Sequence, residues 1–170
     1  MTLPKTVLKF YKTNPLALLP KFGTKEAACF DLAYAPNGPI KGHNQTNGTI
    51  ERSVNASGAF TIMPGDRLLV PTGFILDIPQ GHSVRFHARS GLSLKQGLIL
   101  ANNEGVIDSD YVEEIFIMLT NVSIVGQNIE PGMRLAQAEL VKTVSYTLGE
   151  AKDKPLQKTD RVGGYGSTGV

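Results

Sequence analysis

The 170-residue sequence has little cysteine, little net charge and no long apolar run. Cys29 is its only cysteine, so an intrachain disulfide is impossible and nothing indicates an oxidising compartment. No apolar run is long enough to span a membrane, and the N-terminus has no apolar segment typical of a signal peptide. We therefore expect a cytoplasmic protein with no membrane partner.

The charge balance and the histidines exclude further classes of site. Lys and Arg number 17 and Asp and Glu number 15, which leaves a net charge of +2. A charge this small does not indicate a nucleic-acid partner. The three histidines have no His, Cys or Asp neighbours at the spacing of a zinc site.

What the chain does have is a succession of short apolar segments between Gly and Pro residues. Residues 84–88 alternate apolar and polar side chains, as a half-buried strand does. Further strands are predicted at residues 61–70, 74–78, 98–100, 114–119 and 135–141, with turns at 71–73, 79–81 and 130–132. Many short strands at this spacing predict an all-β sandwich or barrel. No helix is visible in the pattern.

Three regions depart from this pattern. Residues 37–57 are rich in Asn, Gly, Ser and Thr, which predicts an inserted polar loop or mobile hairpin within a β domain of residues 1–150. Residues 151–160 mix charges with a proline and predict a solvated linker. The last ten residues, 161–170, hold four glycines and little that is apolar. They predict a flexible arm that orders only when it closes over a phosphate and an aromatic base.

Five segments carry a resemblance to a known family. They are AACFDLA (27–33), ARSGLS (88–93), NNEGVIDSDYVEE (102–114), PGMRLAQ (131–137) and RVGGYGSTG (161–169). In this order they resemble the five motifs of the trimeric dUTP pyrophosphatases, the dUTPases. The resemblance implies a jelly-roll homotrimer with shared active sites that hydrolyses dUTP to dUMP and pyrophosphate, with Mg²⁺ as the cofactor.

The same resemblance assigns the acidic residues. Asp108 matches the catalytic aspartate, which would orient and deprotonate the water that attacks the α-phosphorus. Asp31 matches the residue that holds the hydrated Mg²⁺ through water, as suits an ion that dehydrates reluctantly.

Phosphate contacts are carried over from two motifs. Arg89, Ser90 and Gly91 match a phosphate-binding turn that offers a guanidinium, a hydroxyl and an unobstructed backbone N–H. Gln137 matches a further polar contact to the phosphates.

Base and sugar selection come from the third motif by the same resemblance. Asn102 and the backbone of the turn at Gly105, Val106 and Ile107 would read the edge of uracil, because hydrogen bonds to O4 and N3–H reject cytosine. Tyr111 would pack against the deoxyribose and exclude a 2′-hydroxyl. The segment from residue 108 to residue 111 should therefore turn rather than extend, since an extended strand would separate the two side chains.

The closing arm supplies the last contacts. Arg161 would meet the terminal phosphate, and Tyr165 would stack on the base. Gly166, Ser167 and Thr168 would follow the phosphates.

The chain departs from the family pattern at several positions. Cys29 replaces a glycine beside Asp31, and Val112 and Glu113 replace an Arg-Gly pair after the tyrosine. The fifth motif is one residue shorter after Arg161 and has Tyr165 in place of Phe. Residues 37–57 exceed the family's usual connection.

Two alternatives share the fold. A dCTP deaminase needs a glutamate on the strand after the aspartate, where this chain has Met118, and a thioether cannot move a proton. A regulatory protein partner could bind through residues 37–57, in addition to catalysis or instead of it.

Overall fold

Three antiparallel sheets make up the computed structural model, which describes residues 6–160. Their strands are β1 (Lys9–Lys12), β2 (Phe30–Ala33), β3 (Ile40–Asn44), β4 (Gly48–Arg52), β5 (Phe60–Ile62), β6 (Asp66–Asp77), β7 (His82–Ala88), β8 (Leu98–Leu100), β9 (Gly105–Ile107), β10 (Glu114–Asn121), β11 (Gln127–Ile129) and β12 (Arg134–Lys142). One short helix, α1 (Ser90–Gln96), follows β7. The all-β prediction is confirmed, and the sheets do not close into a barrel.

The sheet order brings distant parts of the sequence together. The largest sheet has the order β4-β3-β6-β10-β8, with β1 paired to the second half of β6. A four-stranded sheet has the order β2-β12-β7-β9, and β11 pairs with β5. The sheet of β7 and β9 matters most for function, because it holds three of the five motif segments.

The core is built by the inward side chains of the two larger sheets. In β10 the residues Ile115, Ile117 and Leu119 are fully buried and alternate with exposed positions. Val84 and Phe86 do the same in β7. This period of two is the pattern that predicts strands at these positions, and the structure bears it out.

Two predictions around β6 are wrong. Residues 61–70 are not one strand, because a turn at residues 63–65 breaks them and the Asp66 N–H donates to the Met63 carbonyl at 3.1 Å. The predicted turn at residues 71–73 lies inside β6 instead. A register shift between Glu114 and Phe116 marks a β-bulge there, which accommodates the proline and glycine without ending the strand.

Residues 37–57 form a β-hairpin rather than a polar loop. Strands β3 and β4 pair over five positions, and β3 also pairs with β6. Ile40 is buried in the core. The buried carboxylate of Asp66 accepts hydrogen bonds from Asn44 on β3 and Arg52 on β4, each at 2.8 Å. The hairpin is therefore an integral part of the largest sheet, in spite of its polar composition.

The helix escaped the sequence pattern because it is short and buries only Leu92. Across residues 6–160, no helix has the length and apolar character needed to cross a membrane.

Candidate active site

A cleft of about 340 Å³ gathers the residues of the third motif. Its wall contains Asn102, Gly105, Val106, Ile107, Asp108 and Tyr111. The apolar side chains of Leu69, Phe116 and Met118 complete one side of it. The cleft thus combines a carboxylate, an amide, a phenol and a short stretch of backbone with an apolar surface.

The local fold explains how this cleft forms. Strand β9 pairs with β7 so that Gly105 lies opposite Phe86. A Cβ at Gly105 would lie 3.1 Å from the Cβ of Phe86, so a side chain there would crowd the strand pair. Residues 105–107 are therefore a strand, whereas the sequence predicts a turn at these residues. The turns lie on either side of it.

The chain reverses directly after β9, as the sharing of one site requires. The Tyr111 N–H donates to the Asp108 carbonyl at 3.2 Å. The Tyr111 hydroxyl donates to the Glu114 carbonyl at 3.1 Å, which fixes the ring at the cleft. The Glu114 carboxylate accepts from the Thr13 hydroxyl and the Gly73 N–H, each at 3.0 Å. The turn is thus anchored to the bulge of β6.

A second group of predicted residues lies at the ends of β2, β7 and β12. The Arg89 Nε donates to Asp31 Oδ1 at 2.9 Å, and Arg134 Nη1 donates to Asp31 Oδ2 at 2.9 Å. Gln137 donates from Nε2 to the Ala88 carbonyl at 3.0 Å. Asp31 thereby connects two motifs far apart in sequence.

Arg134 is a residue that the sequence analysis missed. Its position inside PGMRLAQ, three residues before Gln137, is the signal that could have found it. Its side chain is 58% exposed, whereas that of Asp31 is 18% exposed.

Ser90 and Gly91 open the short helix α1 after Arg89. No atom lies within 4 Å of the place where a Cβ on Gly91 would sit. The backbone at this glycine is therefore open to a ligand.

The two groups do not form one cleft within a single chain. Within the part of the chain that the structure describes, the wall of the Asp108 cleft does not include Arg89, Ser90, Gly91 or Gln137. Strand β7 separates the two groups, because it pairs with β9 on one side and with β12 on the other. The predicted arm residues Arg161, Tyr165, Gly166, Ser167 and Thr168 lie outside the described residues.

Metal binding was tested on the same geometry. Between residues 6 and 160, no group of three or more His, Cys, Asp or Glu side chains could hold an ion. Both oxygens of Asp31 already accept from guanidinium groups. The residues present therefore fit a hydrated Mg²⁺ only through water, and not as direct ligands.

Cys29 lies beside this second group. Burial raises the pKa of its thiol, and the carboxylates of Glu139 and Asp31 act in the same direction. The thiol is therefore neutral near pH 7, which agrees with a packing role and not with a nucleophile.

Comparison with known proteins places the chain in a family. The sequence profile of the dUTPase family matches residues 53–169, well over half of the chain. The deoxyuridine 5'-triphosphate nucleotidohydrolase of Rhizobium leguminosarum bv. trifolii (strain WSM2304) is 35% identical over 152 residues, covering 89% of this chain and 85% of that protein.

Solved structures agree on the fold. The dUTPase of Staphylococcus bacteriophage 80alpha, solved with dUpNHpp, has a TM-score of 0.77 at 19% identity and covers 98% of this chain and 100% of that one. The dUTPase of phage phi11 of S. aureus, which coordinates a structural Mg(II) ion, has a TM-score of 0.67 at 18% identity, with 87% and 98% covered. The profile and the Rhizobium relative span the motifs that form both groups of polar residues, and this chain belongs to the dUTPase family.

Proposed function

We propose that this chain hydrolyses dUTP to dUMP and pyrophosphate, with the magnesium complex of dUTP as its substrate. The observation that carries the proposal is the cleft in which Asp108, Asn102 and Tyr111 lie together with the backbone of β9. Membership of the dUTPase family supports the same activity.

Asp108 acts as the general base. Its carboxylate takes a proton from a water molecule, and the water oxygen attacks the α-phosphorus. The bond from the α-phosphorus to the oxygen that bridges it to the β-phosphorus breaks, and pyrophosphate leaves with the electron pair. Cationic side chains must stabilise the negative charge that is spread over the phosphates in the transition state. Arg89, with Ser90, Gly91 and Gln137, supplies this environment.

Base selection uses Asn102 and the backbone of Gly105, Val106 and Ile107. A strand edge that offers fixed N–H and C=O groups discriminates uracil from cytosine, because the donors and acceptors of cytosine are reversed. The ring of Tyr111 packs on the deoxyribose, and its hydroxyl is held by the Glu114 carbonyl.

A homotrimer with shared sites accounts for the separation of the two groups. Phosphate residues from one copy would face the Asp108 cleft of another. Leu69, Phe116 and Met118 are 42%, 42% and 39% exposed beside that cleft. Exposed apolar side chains next to a site are typical of a surface that another chain covers. The arm of residues 161–170 would bring Arg161 to the terminal phosphate and Tyr165 to the base, with Gly166, Ser167 and Thr168 along the phosphates.

The hydrated Mg²⁺ arrives with the triphosphate, whose oxygens are its ligands, and Asp31 contacts it through water. Neutralising phosphate charge is the chemistry that the ion supplies. The cytoplasmic location and a regulatory partner that binds the hairpin of β3 and β4 are further parts of this proposal.

Nucleotide selectivity tests the proposal. The purified protein with Mg²⁺ should release dUMP from dUTP and leave dCTP, dTTP and UTP largely intact. Equal turnover of all four nucleotides would reject it. Ammonia release from dCTP would instead support a deaminase, which the position of Met118 on the cleft wall argues against. Light scattering should give the mass of a trimer.

A further inference from the structure

We infer that Arg134 is a phosphate-binding residue of this site and that Asp31 is the positioning residue that holds it beside Arg89. The inference rests on the proposed hydrolysis of dUTP. It adds a second guanidinium to the phosphate site and gives Asp31 a role other than a contact to the metal ion.

The first argument is the geometry of the three side chains. Asp31 accepts one hydrogen bond on each oxygen, from Arg89 Nε and from Arg134 Nη1, both at 2.9 Å. Arg89 Nη1 also donates to the Arg134 carbonyl at 2.9 Å. Both guanidinium groups are therefore fixed before any ligand binds. A preorganised donor costs less to bind a ligand than one that must be ordered on binding.

The second argument is a β-bulge that aims Arg134. In a regular strand, residues 134 and 137 would point to opposite faces, because they are three positions apart. The register between β12 and β2 shifts between Arg134 and Ala136, and Leu135 and Ala136 are both buried. The bulge therefore brings Arg134 to the side on which Gln137 lies opposite Asp31.

The third argument is charge. Two guanidinium groups and one carboxylate leave the cluster one charge positive. Asp31 and Arg134 line a cleft of about 440 Å³ that also contains Lys21. The salt bridge uses only Nη1 of Arg134, whose side chain is 58% exposed. Its remaining N–H donors form a planar fork, which matches the oxygens of a phosphate.

The test compares three variants with the unmodified protein. Arg134→Ala removes the guanidinium, and Arg134→Lys keeps the charge without the fork. Lys142→Ala is the matched control, since it removes an exposed positive charge from the other end of β12. Binding of dUTP is titrated calorimetrically in EDTA, and kcat and KM are measured with Mg²⁺. Circular dichroism and light scattering verify the fold and the mass of each variant.

We expect Arg134→Ala to weaken dUTP binding roughly 10-fold to 100-fold, which is the loss of a charged hydrogen bond. Arg134→Lys should fall between Arg134→Ala and the unmodified protein, and Lys142→Ala should bind as the unmodified protein does. If the unmodified protein hydrolyses dUTP and Arg134→Ala keeps its affinity, the inference alone is wrong. If the unmodified protein neither binds nor hydrolyses dUTP, the proposed function is wrong.

Asp31→Asn tests the positioning role separately. Removal of a negative charge should tighten the binding of an anion if Asp31 has no other effect on the site. If Asp31 positions the two arginines, the variant should bind dUTP more weakly in EDTA, in the absence of any metal ion. Tighter binding of dUTP by this variant would overturn the positioning role.

Discussion

Asp66 and Arg52 form a two-point ion pair in which Arg52 Nε and Nη2 each lie 2.8 Å from a carboxylate oxygen of Asp66. Asp66 is fully buried at the start of β6, and Arg52 ends β4. Asn44 at the end of β3 donates to the same carboxylate. One buried carboxylate therefore ties both strands of the hairpin to the largest sheet.

Replacing that carboxylate should destabilise the protein in a pH-dependent way. Burial alone would raise the pKa of Asp66, but hydrogen bonds from Arg52, Asn44 and the Met63 N–H outweigh it and leave the pKa below its usual value. The stabilisation is therefore complete above about pH 4, the pKa of an unfolded aspartate, and is lost as the pH falls through the lower pKa of the folded state.

The measurement is urea unfolding of Asp66→Asn at pH 7 and at pH 3. We expect a loss of about 3 kcal/mol in the free energy of unfolding at pH 7. At pH 3 the difference between the variant and the unmodified protein should shrink. Asp77→Asn is the control, because the Lys9–Asp77 pair is exposed and contributes little. Equal losses in the two variants would contradict the role of Asp66.

The close approach of β3 to β6 gives a second prediction. A Cβ at Gly42 would lie 2.3 Å from the Arg67 carbonyl oxygen and 2.5 Å from Leu68 Cδ2. Gly42→Ala should therefore lower the free energy of unfolding by about 1–3 kcal/mol, because the two strands must separate. Gly149→Ala, where nothing lies within 4 Å of the added atom, should change it little. A stable Gly42→Ala protein would show that β3 does not pair with β6 in this way.

Glu114 gives a third prediction, on the anchor of the catalytic turn. Glu114→Ala leaves the Gly73 N–H and the Thr13 hydroxyl without their acceptor, so it should lose about 1–3 kcal/mol in the free energy of unfolding. It should also raise KM for dUTP, because Tyr111 is held by the same residue's carbonyl. Glu114→Gln should be milder, since its amide oxygen accepts from Gly73 and its NH₂ can donate to the hydroxyl of Thr13. Denaturation curves and steady-state kinetics check both variants, and a Glu114→Gln protein as damaged as Glu114→Ala would count against this anchor.

The strands of the core could be predicted from the sequence because burial of one face imposes a period of two. Residues 98–100 are predicted and observed as the same strand, and the strands at residues 84–88, 114–119 and 135–141 differ only at their ends. The hairpin of residues 37–57 could not be identified in this way. Its stability comes from Asp66, a residue outside the segment, so its own polar composition resembles that of a loop.

The polar residues divide in a similar way. The third motif is contiguous in sequence, so its gathering in one cleft follows from a single turn. The cluster of Asp31, Arg89 and Arg134 depends on the pairing of β2, β12 and β7 and on a bulge in β12. Neither the pairing nor the bulge has a local sequence signal strong enough to predict it.

The rate of dUTP hydrolysis by Asp108→Asn, measured at saturating dUTP and Mg²⁺, tests the central claim most directly. The amide keeps the size of the carboxylate but cannot take a proton from water. We predict that kcat falls by about 100-fold or more while the affinity for dUTP changes little. A variant that hydrolyses dUTP at the rate of the unmodified protein would contradict the claim that Asp108 is the general base.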